Sequence, residues 1–168
     1  MPHHRLSKVL CALVMAILAL AGSSCDSVDN KRLPVVPVSL MFWTQADWDT
    51  YGVTGAGQYR IFNKEKRIPT GFNYLAASYT GFGGVLLCST FLGEPVAFDA
   101  ACPVECRADV VVFINDNFEA ECPRCHSRYD VFSLMGGCIS GEAAEKGYGL
   151  QIYNVTPGRN GEFMVIYN

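Results

Sequence analysis

Short runs rich in Val, Ile, Phe and Tyr, regular punctuation by Gly, Pro, Asn and Asp, and the scarcity of helical stretches predict an all-β domain, a sandwich or a barrel. The chain has 168 residues, 50% of them hydrophobic, which is the length of one ordinary domain with enough apolar content for a core. Disorder and a multidomain enzyme are excluded on that ground. In order, the expected strands are residues 35–40, 58–62, 84–89, 95–99, 110–114, 118–122, 129–133, 150–154 and 162–167. Gly55-Ala56-Gly57 and Gly81-Phe82-Gly83-Gly84 read as turns between strands, because neither continues into a helix that would cradle a phosphate. Asn115-Asp116-Asn117 reads as the turn of a hairpin. Only residues 44–51 and 143–147 have the composition of a helical turn, and neither carries a long apolar stripe. The aromatic side chains Phe42, Trp43, Trp48, Tyr51, Tyr59, Phe62, Phe72, Tyr74, Tyr79 and Phe82 are expected to fill the core, with a ligand-binding surface as the alternative.

His3, His4, Arg5 and Lys8 precede an apolar run over residues 9–21 that is too short to span a bilayer comfortably, which reads as a secretory signal over residues 1–24. Gly22-Ser23-Ser24-Cys25 resembles the lipobox of bacterial lipoproteins, which implies lipidation (a palmitate-type acyl chain) at Cys25 and a lipid anchor to a bacterial membrane. The alternative is simple cleavage and secretion. The expected location is the bacterial cell envelope, periplasmic or on the outer surface. Residues 25–32 are polar and read as a tether, leaving residues 33–168 as the domain. Arg5 and Lys8 are the only charged residues of the first 24, so the rest of the chain carries an acidic excess. Nucleic acid is therefore not an expected partner.

Of eight cysteines, setting aside Cys11 and Cys25 leaves Cys88, Cys102, Cys106, Cys122, Cys125 and Cys138. An envelope location permits disulfides, so each is weighed as a bridge partner as well as a ligand. Cys102-Pro-Val-Glu-Cys106 and Cys122-Pro-Arg-Cys125-His126 flank the hairpin that turns at residues 115–117 and so lie at the same end of it. Such loops bring four sulfurs to one centre, and Cys-x-x-Cys has the tighter bite for a tetrahedral metal. Cys88, within an apolar run, reads as a buried free thiol, and a bridge from it to Cys138 is not indicated. His126 is the sole histidine beyond residue 24, so no catalytic triad and no multi-histidine site can form there.

Phe98-Asp99-Ala100-Ala101-Cys102-Pro103, the stretch from Cys122-Pro123-Arg124-Cys125-His126 to Ser127-Arg128-Tyr129-Asp130, then Gly141-Glu142-Ala143 and residues 150–155 resemble a Rieske iron-sulfur domain over about residues 83–167. The resemblance implies a Rieske-like antiparallel β-sandwich with a small cluster-binding subdomain, inserted over residues 102–141, whose loops are 102–106 and 122–130. It implies that Cys102 and Cys122 are thiolate ligands of a 2Fe-2S cluster, and that Ser127 and Tyr129 hydrogen-bond to cluster sulfur. Val104 and Cys125 stand where that family has its two histidines, and Glu142 replaces the usual third-loop proline, so the expected ligands are Cys102, Cys106, Cys122 and Cys125, with His126 as alternate.

Three states of this centre are open: a 2Fe-2S cluster, a single zinc or iron ion, or no metal, with disulfides such as Cys102 to Cys122 or Cys106 to Cys125. The first expects an electron carrier with an unknown redox protein partner. The others expect a metal- or disulfide-stapled structural or binding lipoprotein without redox activity, touching a glycan or protein near Trp43 and Trp48. In every case the chain is expected to be a carrier or binding protein rather than an enzyme.

Overall fold

The computed structural model describes residues 28–133 and 135–168. The expected leader, the lipobox and Cys25 lie outside the described residues. In chain order the elements are β1 (Val38–Phe42), α1 (Gln45–Tyr51), β2 (Tyr59–Phe62), β3 (Tyr79–Thr80), β4 (Val85–Ser89), β5 (Pro95–Asp99), β6 (Phe113–Ile114), β7 (Ala120–Glu121), β8 (Arg128–Asp130), β9 (Gly137–Ser140), α2 (Glu142–Lys146), β10 (Ile152–Pro157) and β11 (Met164–Tyr167). No helix among the described residues is long and apolar enough to cross a membrane.

Strand β1 alternates buried Val38, Leu40 and Phe42 with half-buried Ser39 and Met41, the period of a strand with one face in a core. It pairs antiparallel with β11 on one side and β3 on the other. The full antiparallel sheet runs β2-β4-β5-β10-β11-β1-β3. Its two edges are drawn together just past β2, where the Lys64 N–H donates to Thr80 Oγ1 of β3 at 3.3 Å. The Lys64 ammonium donates to the carbonyls of Ala76 and Ser78, each at 2.9 Å. The sheet is thus a near-closed barrel. Its interior holds Leu40, Phe42, Phe62, Val85, Leu87, Ala97 and Ile166, all without solvent exposure. Burying each of the larger side chains among them contributes ~1.5–3 kcal/mol.

Helix α1 closes over this interior. Thr44 Oγ1 accepts the Asp47 N–H at 3.1 Å while Asp47 Oδ2 accepts the Thr44 N–H at 3.0 Å, a reciprocal cap that starts the helix. Its one buried residue, Trp48, meets the Phe42 ring edge-to-face at 4.9 Å. Phe72 from the long loop between β2 and β3 packs on Phe42, Tyr51, Phe62 and Tyr74. Most of the aromatic cluster expected as core is core, while Trp43, Tyr59 and Tyr79 are exposed.

Strands β4 and β5 are buried on both faces. Leu86, Cys88, Val96 and Phe98 point out of the barrel into a second core with Val110, Val112, Ala120, Tyr129, Val131, Phe132 and Leu150. That core is capped by a small antiparallel sheet, β6-β7-β8-β9, inserted between β5 and β10. The all-β sandwich expected from the sequence is corrected by these features. The described residues form a mixed α/β fold with two short helices and a near-closed barrel, because one aromatic interior draws the sheet edges together instead of separating two facing layers.

The expected tether is docked where it is described: Asp29 bridges Tyr148, and the Asp29 N–H donates to the Gly147 carbonyl at 2.7 Å.

Candidate metal centre

The site is built at the end of β5, where a buried carboxylate fixes the chain. Asp99 accepts the N–H groups of Phe82 at 2.8 Å, Gly83 at 2.9 Å and Ala101 at 2.8 Å, and the hydroxyl of Tyr153. Burial pushes its pKa up, against the pull of these four hydrogen bonds. A Cβ on Gly83 would stand 2.6 Å from the Ala101 backbone, so only glycine lets the turn close on this strand. The chain is thereby pinned three residues before Cys102. Asp99 carries no sequence signal for this role beyond being an acid in an apolar strand.

Two short loops then present the sulfurs. In the first, the Cys106 N–H donates to the Cys102 carbonyl at 3.0 Å; in the second, the His126 N–H donates to the Cys122 carbonyl at 3.1 Å. Cys102 and Cys122 have no solvent exposure, and Cys125 is half-buried. The three sulfurs lie within 4.8 Å of one another. Cys102 Sγ and Cys125 Sγ are 3.7 Å apart. Tetrahedral coordination with Zn–S bonds of ~2.3 Å places sulfurs ~3.8 Å apart, so the spacing fits one ion.

Neighbouring groups tune each sulfur differently. Burial pushes the Cys102 thiol up to about 12, against hydrogen bonds from the Tyr129 hydroxyl, 3.4 Å away, and the Glu105 N–H. Burial also raises Cys122, against the N–H groups of Cys125 and Arg124. At Cys125 burial acts in the same direction but is outweighed. Hydrogen bonds with the side chain and backbone of Ser127, and with the thiols of Cys122 and Cys102, hold it below the ordinary thiol value. Ser127 Oγ lies 3.3 Å from Cys125 Sγ and accepts the Ala143 N–H of α2 at 3.0 Å, tying the helix start to the site. Gly141, at φ +79°, precedes α2 where a Cβ would stand 2.9 Å from Ser127 Cα.

Of the expected ligands, Cys102, Cys122 and Cys125 come together, and Cys106 does not. Cys106 takes a left-handed φ of 49°, and its thiol lies against the carbonyls of Pro103 at 3.1 Å and Arg32 at 3.9 Å. His126, at φ 56°, has a side chain 73% exposed and set 3.3 Å from Glu121 Oε1, away from the sulfurs. All six cysteines among the described residues are unbridged thiols, Cys88 and Cys138 included.

This geometry corrects the Rieske resemblance. A Rieske cluster needs two imidazoles on one of two irons, whereas three sulfurs here converge on a single point and His126, the one histidine among the described residues, faces outward. The 2Fe-2S cofactor and the electron-transfer role expected from it fall with the ligand set. The lipidated-cysteine reading concerns residues outside those described, and the structure lends the lipoprotein and membrane features no support. What stands is an all-cysteine group able to hold one metal ion. No family model matches the chain, and neither a curated protein nor a solved structure matches it.

Proposed function

We propose that the protein is a non-catalytic, metal-stapled binding or structural domain in which Cys102, Cys122 and Cys125 hold one zinc ion. The observation that carries this reading is the convergence of three sulfurs, two of them fully buried, from two loops that share no strand. Soft thiolates select zinc among the common divalent ions, and an ion bound mainly by sulfur behind a buried tyrosine is structural. It would link the end of β5 to the β7–β8 loop and so fix the inserted sheet against the barrel. On the strength of residues 1–24 its proposed place of work is the cell envelope, and its acidic excess argues against a nucleic-acid partner.

Zinc titration of the reduced full chain, in competition with a chromophoric chelator, tests this reading. One equivalent per chain is expected, lost in Cys122→Ser and kept in Cys88→Ser. Reduced wild-type protein that takes up no stoichiometric metal overturns it.

A further inference from the structure

The two loops repeat one construction. Each opens with Cys-Pro (Cys102-Pro103 and Cys122-Pro123), and in each the fifth residue returns its N–H to the first cysteine's carbonyl. That fifth residue is left-handed in both, Cys106 at φ 49° and His126 at φ 56°. In both, the fourth residue's N–H points at the first cysteine's sulfur: Glu105 toward Cys102, and Cys125 toward Cys122. By this equivalence Cys106 corresponds to the outward-facing His126, and the residue that corresponds to the ligand Cys125 is Glu105.

We propose that Glu105 supplies the fourth ligand, a carboxylate oxygen, to the ion held by Cys102, Cys122 and Cys125; this rests on the single-ion reading above. Cys125 reaches across to the other loop, to within 3.7 Å of Cys102 Sγ. Glu105 reaches across in the opposite sense. Its side chain is only 19% exposed, and Oε2 lies 3.5 Å from Arg124 Nη1, between Cys122 and Cys125 in sequence. The Glu105 oxygens lie outside the group of three sulfurs that fall within 4.8 Å of one another, so ligation requires the carboxylate to turn inward about its three side-chain torsions. Carboxylate oxygen is an ordinary zinc donor. Three thiolates around a divalent cation leave one net negative charge. The carboxylate adds a second, and Arg124 stands beside it as the compensating cation.

Cobalt(II) titration of the reduced full chain tests the assignment, because sulfur-to-metal charge transfer reports the thiolates and the ligand-field bands report the fourth donor. Glu105→Gln is expected to weaken cobalt binding by ~10-fold or more and shift the ligand-field bands, while the three-thiolate charge-transfer intensity stays. Glu105→Cys is expected to raise that intensity in proportion to a fourth thiolate, and Cys106→Ser to leave affinity and spectrum as in the wild type. A Glu105→Gln protein with wild-type affinity and bands overturns the proposal, as does a loss of one thiolate's intensity in Cys106→Ser. Wild-type protein that binds no cobalt instead overturns the single-ion reading, and the fourth ligand with it.

Discussion

The barrel and the inserted sheet solve the same problem with different means. The barrel's strands run up to six residues and close around Phe42, Phe62 and Phe72, whose rings meet within 5.7 Å of one another. The inserted sheet has strands of two to four residues, too short to hold themselves by pairing alone. Four of the five non-glycine residues with positive φ among the described residues, Cys106, Phe118, His126 and Met135, lie in the loops of the insertion between β5 and β10. Apolar burial suffices where strands are long. Where the chain is spent on tight loops, side-chain chemistry at Cys102, Cys122, Cys125, Ser127 and Asp99 takes over the task.

Breaking the barrel should cost most. Phe62→Ala removes a fully buried ring at the centre of the aromatic stack and is expected to destabilise the whole chain by ~3–5 kcal/mol in denaturant unfolding. Removing the metal should act on the insert alone. With free zinc at about a hundred times its dissociation constant the ion contributes ~2.7 kcal/mol. A chelator should therefore speed amide exchange over residues 102–140 while the β4, β10 and β11 amides stay protected. Equal loss of protection in both regions would show that the two cores unfold as one.

Ser127→Ala sharpens the comparison further. It strips the acceptor from the buried Ala143 N–H and is expected to cost ~1–3 kcal/mol, read as a lower unfolding midpoint and faster exchange at the start of α2. The mildest probe is alkylation of the metal-free protein at neutral pH. Cys125, half-buried and with a depressed pKa, holds the larger thiolate fraction and should react first. Cys88, buried against the barrel wall and with its pKa raised by burial, should react last, and only on unfolding. Peptide mass mapping over time gives the order, and early labelling of Cys88 would contradict it.

Much of the barrel was legible from the sequence because its strands carry the apolar runs that strands need: β4 and β5 fall within residues 84–89 and 95–99. Strand β3 carries no strand signal because Tyr79–Thr80 is two residues long, and β9 carries none because Gly137–Ser140 lacks a β-branched pattern. Closure was illegible since it depends on an aromatic interior gathered from distant segments, and on contacts such as Lys64 to Thr80 across sixteen residues of chain. At the site, Cys-x-x-Cys holds Cys122 and Cys125 on one tight turn, whereas the three-residue gap before Cys106 carries no sign that its backbone turns left-handed and takes the thiol away. The capping of α2 by Ser127 was equally hidden, being a contact between residues sixteen apart in the chain.

Lys64 has a further consequence for how these molecules behave in a crowd. A curved sheet with two bare edges is a template onto which another chain can add its own strand. Here an ammonium sits beside the seam between β2 and β3, with two of its three donors committed to Ala76 and Ser78. An incoming strand meets a charge there, and the neighbouring carbonyls of Ala76 and Ser78 are already taken. One amine therefore acts as a selvage, finishing the weave so that it neither frays nor accepts another thread.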